Sequence, residues 1–149
     1  MIRIVLSIVA IVLGLSVAFA QEDPIKARKQ LMKSNGDAAK SLSEMTKGER
    51  PYDQATVDKA FATFQDAAAK MPGLYPDNTK GGDPTDEYNP SPKVWENMAD
   101  FKARFVKLGE DAKSTGPKVK NLDSLKAELG RFGKGNCGSC HETYRLKKG

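Results

Sequence analysis

The feature that most restricts the fold of this sequence is the scarcity of β-branched apolar residues after position 20. Residues 21–149 contain only five valine and isoleucine residues, at positions 25, 57, 94, 106 and 119. These residue types stiffen strands, so an extensive sheet is not expected. The apolar share of the same stretch is about a third, which is low for a chain that fills its core from side chains alone. The composition therefore indicates a helical fold with a buried cofactor.

Four segments repeat apolar residues every three or four positions, which is the spacing of an amphipathic helix. Asp23 is the predicted N-cap of the first segment and Pro24 its first helical residue. Asp53 caps the second, and Ser91-Pro92 opens the third as one helix that ends at Gly116-Pro117. The predicted helices span about residues 23–47, 53–71, 91–115 and 121–144.

A stretch rich in proline and glycine separates the second helix from the third. Residues 72–92 hold five of the eight prolines of the chain. Proline and glycine interrupt regular structure, so this stretch is predicted to be a long connection and not an element. Four helices with one long crossover predict an all-α fold, a four-helix bundle.

The first twenty residues have the pattern of a secretory signal. Arg3 precedes an apolar run over residues 4–13, and Val17-Ala18-Phe19-Ala20 supplies the small residues of a cleavage site. The run is short for a bilayer span, so a membrane anchor is the less favoured alternative. We expect cleavage after Ala20, a mature domain over residues 21–149 in the periplasm, and no stable membrane insertion of that domain.

The charge of the chain is mild. The formal net charge is +5 at pH 7, and positive and negative residues alternate along the sequence. Alternation of this kind is typical of solvated helix faces, so nucleic acid is not an expected partner.

The most informative motif is Cys137-Gly138-Ser139-Cys140-His141, the C-x-x-C-H pattern of covalent haem attachment. Positions i, i+3 and i+4 share one face of a helix, so two thiols can bond the porphyrin while the histidine points at the iron. We expect one haem c per chain, bound covalently through Cys137 and Cys140, with His141 as an iron ligand.

Three other interpretations of the two cysteines stay open. A structural disulfide or a redox-active C-x-x-C would suit an exported chain, but neither accounts for His141, the only histidine present. A zinc site would lack a fourth ligand at a suggestive spacing. A haem-free helical interaction protein with a disulfide is the alternative from a different functional class.

The motif near the C-terminus, the four helical segments, and the pieces Arg28-Lys29-Gln30-Leu31-Met32-Lys33 and Pro92-Lys93-Val94-Trp95 together resemble class II c-type cytochromes, the cytochrome c-prime and cytochrome c-556 family. The resemblance covers essentially the whole of residues 21–149 and is most specific over residues 137–145. It implies an antiparallel four-helix bundle that holds one haem. The expected function is transfer of single electrons between redox proteins, with no enzymatic activity.

The residue opposite His141 separates two functions within this family. The resemblance places Met32 at the distal position, where low-spin c-556 proteins carry methionine and cytochromes c-prime carry leucine or another non-ligating residue. Methionine ligation raises the reduction potential and suits an electron carrier, so Met32 is the predicted second iron ligand. The alternative is a five-coordinate cytochrome c-prime that binds nitric oxide or carbon monoxide. Met45, Met71 and Met98 are predicted to be core residues.

Two arginines have weaker assignments. The resemblance implies that Arg28, one turn before Met32, contacts a haem propionate, and a solvated charge is the alternative. Arg145, one turn after His141, resembles the family arginine beside the proximal imidazole and would tune that ligand by its charge. The sequence leaves the identity of the redox partners open, as well as the choice between monomer and homodimer. The aromatic residues predicted to pack the bundle core are Phe61, Phe64, Trp95, Phe101 and Phe105.

Overall fold

The structure is a computed structural model that describes residues 23–147, so the predicted signal segment lies outside the described residues. Its four long helices are α1 (Pro24–Lys47), α2 (Gln54–Lys70), α4 (Met98–Thr115) and α5 (Leu122–Phe132), and its two short helices are α3 (Lys93–Glu96) and α6 (Ser139–Tyr144). Helix α1 packs on α2 and α5, and α4 packs on the same two helices, which closes the predicted four-helix bundle. None of the helices within residues 23–147 has the length and apolar character needed to cross a membrane.

The ends of the first two helices follow the cap residues of the sequence. The Asp23 carboxylate accepts a hydrogen bond from the Ile25 amide at 2.9 Å, and α1 ends at Gly48, whose φ of 77° is the left-handed conformation that favours glycine. The Asp53 carboxylate accepts from the Thr56 amide at 2.8 Å at the start of α2. Both predicted N-caps are confirmed.

The third predicted helix is interrupted, so the expectation of one continuous helix from Ser91-Pro92 is wrong. Helix α3 ends at Glu96, and Asn97 leaves the helical region with φ −133° and ψ 55°. The Asn97 side-chain oxygen then accepts from the Asp100 amide at 3.4 Å and starts α4. Asparagine competes with helical hydrogen bonds in this way because its short side chain reaches nearby backbone amides.

The long connection between α2 and α3 is present, but it contains an element that the sequence did not predict. Strand β1 (Tyr88–Pro90) pairs antiparallel with β2 (Arg145–Lys147), with Asn89 opposite Leu146. The connection also holds two 3₁₀ turns, Met71–Gly73 and Asp77–Thr79. Three-residue strands are too short to show an alternating pattern, and their pairing joins distant parts of the chain. The small sheet attaches the crossover to the end of the chain beyond α6.

A six-residue π-helical turn, Gly133–Gly138, connects α5 to α6. The fourth predicted helix is therefore three consecutive pieces over residues 122–144. Asn121 is the N-cap of α5 and forms a capping box with Ser124, in which the side chain of each residue accepts a hydrogen bond from the backbone amide of the other. A π turn inserted between helices is often found at a functional site, because the altered register re-aims the side chains that follow it.

Aromatic side chains form two clusters in the core. Phe61, Phe64 and Phe132 meet with ring centroids 5.3–5.8 Å apart. Phe101 lies between Tyr75 at 4.7 Å and Tyr144 at 5.1 Å, and these edge-on contacts are the favoured geometry of aromatic pairs. The four phenylalanines predicted for the core are buried, as are Met45 and Met71, while Trp95 and Met98 pack against the core half-buried.

Candidate cofactor site

A cavity of about 530 Å³ lies between α1, α4 and the segment that contains α6. Its volume is in the range of sites that hold small molecules and cofactors. Met32 of α1, Phe105 of α4 and Tyr75 of the crossover contribute to its wall. Cys137, Cys140 and His141 also line this cavity.

The attachment motif is divided between two elements. Cys137 lies in the π-helical turn, and the other two residues of the motif lie in α6. Both cysteines are half-buried, and neither sulfur is bonded to the other in the structure. Both sulfur atoms are thus placed to form bonds to a ligand in the cavity.

The ionisation of the two cysteines distinguishes the remaining thiol chemistries. Burial raises the pKa of Cys137, and burial also raises the pKa of Cys140 against the opposing positive charge of Arg104. A redox-active C-x-x-C depends on a lowered cysteine pKa, which provides a thiolate nucleophile near neutral pH. The pKa values of Cys137 and Cys140 are raised instead, so the redox-active interpretation is not supported.

His141 is held in the form that can bind a metal. Burial lowers the pKa of its imidazole, and the positive charge of Arg145 lowers this pKa further. The neutral imidazole at pH 7 carries the lone pair that metal coordination requires. Across residues 23–147, no group of three or more His, Cys, Asp or Glu side chains could hold a bare metal ion. The His141 imidazole is thus available as a single ligand to a metal ion.

Arg28 is a buried cation at the edge of the cavity, so the alternative of a solvated charge is wrong. Its side chain is 5% exposed, and its Nη1 atom donates to Thr79 Oγ1 at 3.0 Å and to the Leu74 carbonyl at 3.3 Å. The guanidinium also lies over the ring of Tyr75, 4.8 Å from its centroid. These contacts attach the crossover segment to α1 beside the cavity.

Two residues of α4, Asp100 and Arg104, hold α6 in place, and neither was predicted to have a role at the site. Arg104 donates through Nη1 to the Ser139 carbonyl at 3.1 Å and through Nε to Asp100 Oδ2 at 2.8 Å. The same carboxylate oxygen accepts a hydrogen bond from the Tyr144 hydroxyl. The spacing of Asp100 and Arg104 is visible in the sequence as an i, i+4 pair, but their contacts with α6 are long-range.

Asn136 supports the π-helical turn from inside. Its Nδ2 atom donates to the Phe132 carbonyl at 3.1 Å and to Asp111 Oδ2 at 2.9 Å. The side chain is buried and directly precedes Cys137. These bonds connect the turn that carries the first cysteine to α4.

Arg145 lines the cavity, although it is not part of the helix that carries His141. Helix α6 ends at Tyr144, and Arg145 is the first residue of β2 with an extended backbone. Its backbone amide still donates to the His141 carbonyl, so Arg145 follows His141 by one helical turn as expected, and the chain becomes extended at Arg145 where β2 pairs with β1. Its guanidinium lies 4.5 Å from the centroid of the Tyr88 ring. Its charge nevertheless acts on His141.

The chemistry of this site fits a covalently attached haem. The wall is mostly apolar, two unionised thiols are available for thioether bonds, and a neutral imidazole is available for iron. A four-helix bundle with such a site defines a c-type haem protein.

Comparisons with known proteins give the family. Residues 23–145 match the family described as cytochrome c′. The chain is 40% identical to cytochrome c-556 of Rhodopseudomonas palustris over 150 aligned positions, which cover 100% of both chains. It is 41% identical to cytochrome c′ of the same organism, covering 93% of this chain and 92% of the relative. The solved structure of that organism's cytochrome c′ superposes with a TM-score of 0.79 at 40% identity, covering 87% of this chain and 100% of the other.

This protein belongs to the cytochrome c′ family of class II c-type cytochromes, electron-carrying haem proteins that bind haem c covalently. The family membership confirms the resemblance stated from the sequence, together with the predicted fold and cofactor.

Proposed function

We propose that this protein is an exported carrier of single electrons whose haem iron is bound by His141 and Met32. The observation that carries the proposal is that both side chains line the same cavity, one from α6 and the other from α1. Membership of the cytochrome c′ family implies a covalently bound haem, which is the one-electron redox centre when bound. The protein transforms no substrate in this proposal.

The two proposed ligands are suited to a carrier. His141 contributes a neutral imidazole, and Met32 contributes an uncharged thioether from a half-buried position. A histidine and methionine pair raises the reduction potential of a haem, since the soft sulfur favours the reduced iron. If His141 and Met32 both held the iron, an external ligand would have to displace one of these side chains before it could bind.

The two arginines at the cavity have supporting roles in this proposal. Arg28 uses Nη1 and Nη2 to hold Thr79 and Leu74, and a guanidinium has five N–H donors, so donors remain for a haem propionate. Arg145 would keep the His141 imidazole neutral by its charge and thereby maintain the ligating form.

The proposed location is the periplasm, reached by removal of residues 1–20. The support for export is the signal pattern of those residues. The proposed partners are redox proteins that donate and accept single electrons, and neither nucleic acid nor a membrane is required.

A second candidate function is binding of nitric oxide or carbon monoxide at a five-coordinate iron. The observation that favours it is the relative named cytochrome c′, which matches the chain as well as the one named cytochrome c-556 does. In this case Met32 would be a flexible side chain of the cavity wall and not a ligand.

Replacement of Met32 by leucine separates the two candidates. In a carrier with methionine ligation, Met32→Leu turns the oxidised protein high-spin, lowers its reduction potential and opens the iron to carbon monoxide. Met45→Leu is the matched control, because Met45 is on the same helix, is fully buried and does not line the cavity. A Met32→Leu protein with an unchanged spectrum and potential would show that the gas-binding candidate is correct.

A further inference from the structure

We propose that Trp95 is the surface end of an electron-transfer route that enters the cofactor cavity through Tyr75. The route connects the cavity with a part of the protein surface other than the cavity mouth. The inference rests on the proposed transfer of single electrons to the haem, and it does not depend on Met32 as an iron ligand. Neither the attachment motif nor the family membership assigns this role to either aromatic residue.

Tyr75 is the inner end of the route. Its side chain lines the cavity that fits the haem. The Arg28 guanidinium lies over its ring, 4.8 Å from the centroid, and the ring of Phe101 meets it edge-on at 4.7 Å. Contacts of these two kinds are favourable, so they hold the Tyr75 ring in a fixed position at the cavity wall.

Trp95 is the outer end of the route. It is half-buried in the short helix α3, and its indole lines a surface depression. The residues that share this depression with Trp95 are Lys80, Gly81, Pro92 and Glu96, and none of them lines the haem cavity. The indole therefore reaches the surface away from the cavity mouth.

Two contacts join Trp95 to Tyr75. The indole Nε1 atom donates a hydrogen bond to the Tyr75 carbonyl at 3.1 Å. The two rings also meet at an angle of 63°, with their centroids 6.1 Å apart. Electron tunnelling is faster through bonded and closely packed atoms than through empty space. The hydrogen bond and the ring contact therefore make a continuous path from the surface depression to the cavity wall.

The other aromatic residues of the cavity wall differ from this pair. Phe101, Phe105 and Tyr144 line the cavity, but their side chains are only 3–5% exposed. Tyr88 is 41% exposed, but it lines the cavity itself and so meets solvent at the cavity mouth. Trp95 is exposed elsewhere and still contacts a residue of the wall.

The transfer moves one electron and changes no bond of the chain. The electron passes from a one-electron donor at the surface near Trp95 to the oxidised haem iron, so the donor is oxidised and the iron is reduced. The two rings supply orbitals for tunnelling, and neither ring is itself oxidised or loses a proton. The same path in reverse serves a one-electron acceptor.

The test is the rate of electron transfer to the haem of the oxidised holoprotein from a ruthenium polypyridyl label, started by a laser flash. The label is attached to the engineered cysteine of Glu96→Cys, because Glu96 is exposed beside Trp95. In this labelled protein, Trp95→Leu should slow the transfer several-fold. Trp95→Phe keeps a ring but loses the N–H donor, so it should slow the transfer less.

The matched control carries the same label at Lys147→Cys. Lys147 is exposed and lies opposite Tyr88 in the small sheet beside the cavity mouth. From this position the electron has no need of Trp95, so Trp95→Leu should leave the rate unchanged.

Two further measurements separate the route from a purely structural role of Trp95. The reduction potential and absorption spectrum of the haem should be the same in Trp95→Leu as in wild type, so that a slower transfer reflects weaker electronic coupling. Trp95 is the only tryptophan of the chain, and acrylamide should quench its fluorescence, since the outer end of the route must be reachable from solvent.

Three results would overturn the inference. They are an unchanged rate in Trp95→Leu labelled at position 96, equal slowing from both label positions, and slowing that a shifted reduction potential explains in full. Tryptophan fluorescence that acrylamide does not quench would also overturn it. Methionine ligation is tested separately, because a high-spin spectrum of the wild-type protein would overturn that ligation whatever the transfer rates are.

Discussion

The hydroxyl of Tyr144 donates a hydrogen bond to the carboxylate of Asp100, across 44 positions of sequence. Tyr144 is the last residue of α6, which carries His141, and Asp100 is in the first turn of α4. Arg104 adds a hydrogen bond to the Ser139 carbonyl at the other end of α6. The helix that presents the proximal ligand is thus held at both ends by one neighbouring helix.

Tyr144→Phe should lower the free energy of unfolding at neutral pH, and the difference from wild type should shrink in acid. The hydrogen bond from Tyr144 and the bonds from Arg104 lower the pKa of Asp100 below its usual 3.8. A lowered pKa in the folded state means that Asp100 contributes stability above the unfolded value, and that this contribution is lost as pH falls through the folded pKa. Urea unfolding at pH 7 and pH 3 should therefore show a difference between wild type and variant that shrinks at the lower pH.

The control for this experiment is Tyr88→Phe, because Tyr88 is 41% exposed. This variant should show the same small difference from wild type at both pH values. A Tyr144→Phe difference that is as large at pH 3 as at pH 7 would contradict the role given to the Asp100 carboxylate.

Thr79→Val should destabilise the protein by about 1–3 kcal/mol, since it leaves a buried N–H of Arg28 without its acceptor. Thr79 is 5% exposed, and its hydroxyl accepts from Arg28 Nη1 at 3.0 Å. Valine keeps the shape of the side chain, so the change isolates the hydrogen bond. Thr63→Val, at a hydroxyl bonded to an exposed carbonyl of its own helix, should change stability by less than about 0.5 kcal/mol. Equal losses for the two variants in chemical denaturation would argue against a structural role of the Arg28 contact.

Ionisation of the buried Tyr75 hydroxyl should lower the free energy of unfolding in alkaline solution. Burial raises its pKa to about 12, although the positive charge of Arg28 opposes the shift. The unfolded chain releases this proton near pH 10, so the contribution of Tyr75 is complete below pH 10 and is lost as pH rises toward 12. Between pH 9 and pH 11.5, Tyr75→Phe should gain about 2 kcal/mol of stability relative to wild type. A constant difference between the two proteins would mean that Tyr75 titrates normally.

Loss of the haem should leave a poorly packed bundle. The cavity of about 530 Å³ is mostly apolar, and the chain has few spare apolar residues with which to fill it. Cys137→Ala combined with Cys140→Ala should therefore give a broad thermal transition at a lower temperature, because a group that binds only the folded state stabilises it. Cys137→Ala alone keeps one attachment and should fall between the double variant and wild type. A sharp, native-like transition of the double variant would contradict this expectation.

The sequence predicted those parts of the fold that depend on local chemistry. Asp23 and Gly48 mark the ends of α1 because a short carboxylate and a residue without Cβ satisfy local backbone geometry. The haem-attachment motif at residues 137–141 is likewise contained within five residues. Such features can be predicted from sequence because all of the residues that form them are close together in the chain.

The rest of the structure depends on contacts between distant residues. The helix breaks at Asn97 although the helical spacing of apolar residues continues past that position. The pairing of β1 with β2 joins the crossover to the segment after α6. The contact of Arg104 with Ser139 spans 35 positions. Long-range contacts such as these leave no periodic signal in the sequence.

The absorption spectrum of the purified protein shows whether Met32, together with His141, binds the haem iron. Spectra of the oxidised and reduced forms should be recorded with and without carbon monoxide. Ligation by Met32 predicts a low-spin spectrum with the weak red band of a sulfur-to-iron bond and little response to carbon monoxide. A high-spin spectrum that shifts on addition of carbon monoxide would contradict this ligation and assign the protein to gas binding.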